Sequence, residues 1–137
     1  MTRVVRLANP KSIGTAGDFG ITIGHRDTDN LIEDSVVEGN EGPGLLVGRA
    51  DSNDDWNGAH RNRVRRVTFR DNDGVGVAIE QESRETEVRE CIFEAGREGG
   101  ARQAVGVRLG AKIGSVELAG NVFRGGHSHE VERLAAL

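Results

Sequence analysis

Val64-Arg65-Arg66-Val67-Thr68-Phe69, then Arg70-Asp71-Asn72-Asp73-Gly74, then Val75-Gly76-Val77-Ala78-Ile79-Glu80 is the stretch whose reading decides the fold. It is a strand-like element, a turn and a second strand-like element. In the last part Val77 and Ile79 flank Ala78, the period of two that turns one face of a strand toward a core. In the first part a valine and a phenylalanine stand five positions apart, with Arg65, Arg66, Val67 and Thr68 between them. The turn holds Asn, Asp and Gly; glycine and asparagine are expected to supply the left-handed backbone of a tight corner. Strands this short cannot bury an apolar face alone, so they need neighbours of their own kind.

Those neighbours are in the chain, and internal repetition is the first thing to look for in such a sequence. The glycine-led element recurs as Gly20-Ile21-Thr22-Ile23-Gly24, Gly44-Leu45-Leu46-Val47-Gly48 and Gly106-Val107-Arg108-Leu109-Gly110. The second element recurs as Ile32 to Val37, Val88-Arg89-Glu90-Cys91-Ile92-Phe93 and Leu118-Ala119-Gly120-Asn121-Val122-Phe123. Leading glycines are 24, 32 and 30 residues apart, whereas Val37, Phe69, Phe93 and Phe123 are 32, 24 and 30 apart. The series differ because the loop between the two elements varies in length, which fits a solenoid with insertions. Stacking the copies about 4.8 Å apart makes continuous parallel sheets around a shared interior. Alternation then assigns sides. Ile21 and Ile23, Leu45 and Val47, Val77 and Ile79, and Val107 and Leu109 point inward. Thr22, Leu46, Ala78 and Arg108 form an outward ladder, and Val37, Phe69, Phe93 and Phe123 share one interior column.

Composition agrees. The chain has 137 residues, enough for one domain, and aromatics are only 4% of it. A narrow lumen lined by Val, Ile and Leu needs little aromatic bulk, unlike a sandwich or a bundle. Twenty glycines against two prolines suit many turns rather than a disordered linker. The net charge of -4, from 18 basic and 22 acidic residues mixed along the chain, argues against a nucleic-acid binder. The basic run Arg61 to Arg66 reads as the outer face of a strand. The single cysteine, Cys91, allows no internal disulfide and reads as a buried apolar residue. The sequence shows neither an export signal nor an apolar run of membrane-spanning length, so no membrane association is expected and the location stays open.

Glycine-led strands, a V/I-x-x-x-x-F element and an Asn/Gly turn resemble the parallel β-helix repeats of the pectin-lyase-like superfamily. The resemblance covers residues 19–126 and rests on pattern alone, without a catalytic motif. It implies an all-β fold, a right-handed parallel β-helix of about four coils, and a surface that meets polysaccharide. The whole chain, 1–137, is expected to be a single domain. Outside the repeat, Arg3 to Leu7 reads as a short strand. Residues 128–137 read as a short helix, with Ser128 as N-cap, Glu130 and Glu132 in its first turn, and Val131, Leu134 and Ala135 on one face. A bare solenoid end exposes strand edges, so a homo-oligomer formed through that end is expected.

The polar corner after each glycine-led strand carries the candidate chemistry. Counting forward places His25, Arg49, Gln81 and Ala111 in one column and Arg26, Ala50, Glu82 and Lys112 in the next. Asp27 and Asp51 follow with Ser83. Two adjacent carboxylates would raise one pKa and supply an acid and a base. His25 then suits a base, and Arg49 a partner for a uronate carboxylate, giving His25, Asp27, Arg49 and Asp51 as candidate catalytic residues. Arg26, Gln81, Glu82 and Arg108 are candidate substrate contacts, with Trp56 as a stacking platform. Asp51, Asn53 and Asp55 hold alternate positions of a calcium-type loop. Trp56 and Asn62 stand where that loop needs glycine and glutamate, so calcium is the only cofactor to consider and no other is expected. The contrary reading is a solvated corner whose charges simply alternate. Two function classes follow: a non-catalytic structural or carbohydrate-binding module, which the uncharged outward ladder favours, and a polysaccharide-processing enzyme acting at the corner.

Overall fold

The computed structural model describes residues 11–12, 21–24, 29–40, 42–49, 59–95 and 103–134. The strands in chain order are β1 (Lys11–Ser12), β2 (Ile21–Gly24), β3 (Leu31–Glu38), β4 (Leu45–Arg49), β5 (Arg63–Arg70) and β6 (Val75–Ile79). They continue with β7 (Thr86–Arg89), β8 (Ile92–Glu94), β9 (Val105–Leu109), β10 (Val116–Ala119), β11 (Val122–Arg124) and β12 (His129–Arg133). Every pairing is parallel. One sheet runs β2-β4-β6-β9-β12, and the other runs β1-β3-β5-β7-β10 with β8 and β11 continuing it sideways. Strands adjacent in a sheet come from successive windings of the chain, which is a parallel β-solenoid. The expected Arg3 to Leu7 strand lies outside the described residues.

The repeat register is the one the apolar columns demand. Ile21, Leu45, Val77 and Val107 stack, as do Ile23, Val47, Ile79 and Leu109, and the register of the alternate column is Thr22-Leu46-Ala78-Arg108. Val37, Phe69, Phe93 and Phe123 form the interior column. The three phenylalanine rings stack with centroids 5.2 Å and 4.9 Å apart, close to the spacing between strands. Phe69 and Phe93 are wholly buried and Phe123, on the last winding, only partly.

The leading glycines are required by proximity. A Cβ at Gly76 would lie 2.9 Å from the Gly106 carbonyl oxygen and 2.9 Å from the Phe93 ring, and Gly44 and Gly106 are as tight. These columns therefore let the next winding's backbone and phenylalanine ring close in.

Corners use a different residue set from the expected one. Asp34, Arg66, Glu90 and Gly120 occupy one stacked bend with φ of 53°, 51°, 53° and 66°. β3 and β5 run through this bend, whereas the same bend separates β7 from β8 and β10 from β11. At the turn after Val37 and Phe69 the left-handed residues are Gly39, Asp71 and Gly74, not the asparagines. Asn40 and Asn72 are instead buried and bonded to each other, with Asn40 Nδ2 donating to Asn72 Oδ1 at 2.8 Å. Asparagine is needed here because a parallel ladder leaves N–H groups at a corner that a side-chain amide satisfies. Asn30 and Asn62 repeat the device at the opposite corner, also at 2.8 Å.

The expected C-terminal helix is replaced by β12. His129, Val131, Glu132 and Arg133 pair with Val105, Val107, Arg108 and Leu109 of β9. A ten-residue helix is marginal alone, because each helix pays a nucleation cost before any turn forms. The β9 edge offers a ready ladder, and the spacing of Val131 and Arg133 serves a strand as well as a helix.

Candidate functional site

Of the residues singled out from sequence, His25, Arg26, Asp27, Asp51, Asn53, Asp55 and Trp56 lie outside the described residues. Arg49 ends β4, and its backbone pairs with Gly24 because the ladder shifts register after Ile23. The column counted from His25 to Arg49 therefore slips by one. The shift sits beside Gly48, whose φ is 92° and whose Cβ would fall 2.2 Å from Ser83 Oγ. Ser83, expected at an open corner, is buried; its hydroxyl donates to the Glu80 carbonyl at 2.8 Å and accepts from Ala59 N at 3.0 Å. Gln81 and Glu82 are exposed, Gln81 in left-handed backbone.

The outward ladder is not an open platform along its length. Leu46 and Ala78 are 4% and 1% exposed and join Val75 and Val105 in a second apolar cluster. Arg108 is half-buried, with Nε donating to Glu132 Oε1 at 2.9 Å. Its charge is thus taken up by the next rung.

Pairing from rung to rung is the rule over the outer face of the larger sheet. Arg70 lies between two acids, at 3.0 Å from Glu38 and 2.6 Å from Glu94, and Arg124 reaches Glu94 at 3.6 Å. Arg66 bonds Asp34 and Glu33, Arg61 forks onto Asp29 at 3.0 and 3.2 Å, and Arg89 pairs with Glu87 and Glu117. Equivalent positions on adjacent windings stand one strand spacing apart, so alternating sign is the arrangement that avoids repulsion. The basic run Arg61 to Arg66 does face outward, as its pattern implied, and acids neutralise most of it.

A groove among the described residues breaks this self-neutralised surface. It has a volume of about 470 Å³ and lies where the corner before the larger sheet meets β5, β7 and β10. Asp29, Arg61 and Glu85 come from that corner, and Arg63, Glu87 and Glu117 form a single outward column beside it. Asp29, Arg61 and Glu85 all have positive φ, at 59°, 56° and 58°, which swings the chain outward and opens the wall. Arg63 is exposed and has no side-chain partner among the described residues, which distinguishes it from Arg61, Arg65 and Arg66. The groove therefore offers one free guanidinium and a row of carboxylates, a set able to hold an anionic group and several hydroxyls. Sequence reading passed over these residues because none stands in a motif. The available signal was position: Asp29, Arg61 and Glu85 each fall two residues before an outward side chain of the second element.

Two titratable groups near these elements are explained by burial. The His60 imidazole, next to Arg61, is held below its ordinary pKa first by burial and then by the charges of Arg84 and Arg61. Cys91 is wholly buried and its thiol is pushed up to about 11, mainly by burial, which makes it a packing residue at neutral pH. Among the described residues no three of His, Cys, Asp and Glu are grouped to hold a metal ion. No described helix is long and apolar enough to cross a membrane.

Parallel pairing, stacked phenylalanines and left-handed corners define an architecture, and a family comparison gives its hand. Residues 10–126 match the model of the right-handed β-helix region. The chain belongs to this right-handed β-helix family. The match begins a little before the repeat read from sequence and ends with it, so the β-helix takes in β1. Comparison with curated proteins and with solved structures returned no match.

Proposed function

We propose that this β-helix is a non-catalytic binding module that takes carbohydrate in the groove beside β5, β7 and β10. The observation that carries the reading is Arg63, a free exposed guanidinium in a surface whose other arginines are largely paired across rungs. Glu85, Glu87 and Glu117 stand along the same groove as acceptors for sugar hydroxyls. Glu87 and Glu117 are already engaged by Arg65 and Arg89, an arrangement that supports binding over acid–base chemistry. The likeness to pectin-lyase-like repeats points to polysaccharide as the ligand class. The unpaired strand edges of the last winding support self-association through that end as a second property of the module.

Titration of the domain with neutral and acidic polysaccharides, with and without calcium, tests the reading. Saturable binding is expected, weakened by roughly ten- to a hundredfold in Arg63→Ala, the loss of a charge-assisted hydrogen bond. Arg108→Ala should leave it unchanged. Binding equal in Arg63→Ala and the parent, or none at all, overturns the groove assignment. Chromatographic release of shortened or altered sugar replaces the non-catalytic reading with the enzyme.

A further inference from the structure

A column of buried amides lies along one edge of the lumen and ends on a histidine. Asn40 Nδ2 donates to Asn72 Oδ1 at 2.8 Å, and Asn72 Nδ2 donates to Gln103 Oε1 at 3.0 Å. Gln103 Nε2 lies 3.3 Å from His127 Nε2.

The direction of the last contact follows from the others. Gln103 Oε1 accepts both the side-chain and the backbone N–H of Asn72. Its Nε2 donates to the Phe69 carbonyl at 2.9 Å and faces the Glu94 carbonyl at 3.3 Å. A flipped amide would set oxygen against two carbonyls and nitrogen against two N–H groups, so the orientation is over-determined. Gln103 Nε2 carries two hydrogens: one is held by the Phe69 carbonyl, and the second is shared between the Glu94 carbonyl and His127 Nε2, both at 3.3 Å, so in this contact His127 Nε2 is the acceptor. An imidazolium carries hydrogen on both nitrogens and accepts nothing. The contact exists only with a neutral ring.

This ring stands at the hinge of the last strand. It packs edge-on against Phe123, with centroids 5.9 Å apart and planes at 85°. Immediately after it, Ser128 N and His129 N donate to the Ala104 carbonyl at 2.8 and 3.3 Å, and Leu134 N closes β12 onto Leu109 O at 2.9 Å. Gln103 and Phe123, the groups that face the ring from the neighbouring turn and from β11, are uncharged. Glu130 of β12 is the charged group acting on it and favours proton uptake, while burial opposes uptake more strongly.

We propose that His127 is a proton-operated clasp: a neutral ring holds β12 against β9, and protonation releases β12 and uncovers the β9 edge and Phe123. The sign follows from linkage. The released ring takes a proton near the ordinary value of 6.5, the clasped ring at lower pH. The clasp is at full strength above 6.5 and weakens as pH falls below it.

Amide hydrogen exchange on the full chain from about pH 7.5 to about pH 5, corrected for intrinsic rates, reads the clasp directly. Protection of the Ser128, His129 and Leu134 amides should fall by up to roughly tenfold per pH unit below the ordinary value, until the clasped ring itself titrates. Amides of β5 to β7 should hold. In His127→Gln the Oε1 atom accepts the same bond and cannot titrate, so the profile should be flat, and His129→Gln should behave as the parent. A flat parent profile, or an unchanged slope in His127→Gln, overturns the clasp. If His127→Gln does not fold, the parent's imidazole nitrogen spectrum decides: a neutral ring protonated on Nδ1 at pH 7 supports the clasp, and one protonated on Nε2 overturns it.

Discussion

Asn72 shows how much one side chain does when it bonds the windings on both sides of it. Its Oδ1 accepts from the Asn40 amide nitrogen and Nδ2, and its Nδ2 reaches the Val37 carbonyl at 3.1 Å and Gln103 Oε1 at 3.0 Å. Truncation strands buried partners on the windings to either side, and a buried polar group without a partner costs about 1–3 kcal/mol. Asn72→Ala should therefore lose at least about 2 kcal/mol, read as a lower urea midpoint at unchanged slope. That an asparagine belongs in this turn is evident from sequence. That it serves as a rung between coils, with Gly39 and Asp71 taking the left-handed backbone, follows only from the stacking.

At the scale of elements, the glycine-led strands are the most legible feature and the cause of the glycines the least. Gly76 leaves no room for a methyl group against Gly106 O and Phe93. Alanine ordinarily gains about 0.5–1 kcal/mol over glycine in a strand, but displacing backbone and a packed ring costs roughly 1–3 kcal/mol. Gly76→Ala should destabilise the domain on balance. Gly74→Ala tests the contrast: its φ of 84° is strained for alanine, yet nothing lies within 4 Å of the added carbon. Thermal melts should place Gly74→Ala nearer the parent if crowding dominates, and the reverse order would make backbone conformation the stronger term. The end segment shows the opposite failure of legibility. Ser128, Glu130 and Glu132 satisfy helix-start rules, but an unpaired β9 edge lies within reach and the segment completes it as β12.

For the whole molecule, the last described winding is the least covered. Val88 and Phe93 are fully buried, while Leu118 and Phe123, one rung on, are only partly so. Val122, Val131 and Leu134 are exposed at 43%, 41% and 44%, and among the described residues β10, β11 and β12 each pair on one side only. Unpaired edges beside apolar surface favour association. Light scattering should give a mass above one chain that rises with concentration. The double change Val131→Glu and Leu134→Glu should return it toward a monomer. A parent that stays monomeric at all concentrations removes self-association from the reading of this end.

The sequence by itself determined the repeat, its inward columns and the parallel all-β architecture, because a period of two and recurrent apolar positions are properties of the chain. It also disclosed that the Arg61 to Arg66 run faces outward, since alternation alone assigns the sides of a strand. Tertiary structure decided everything that depends on what lies one rung away. Arg63 is free while Arg61 and Arg66 are paired, Arg49 falls opposite Gly24, and Gln103 turns its amide nitrogen toward His127. The physical reason is that charge pairing, close approach and amide laddering act across a strand spacing, between residues 24 to 35 positions apart along the chain. No local pattern carries that information.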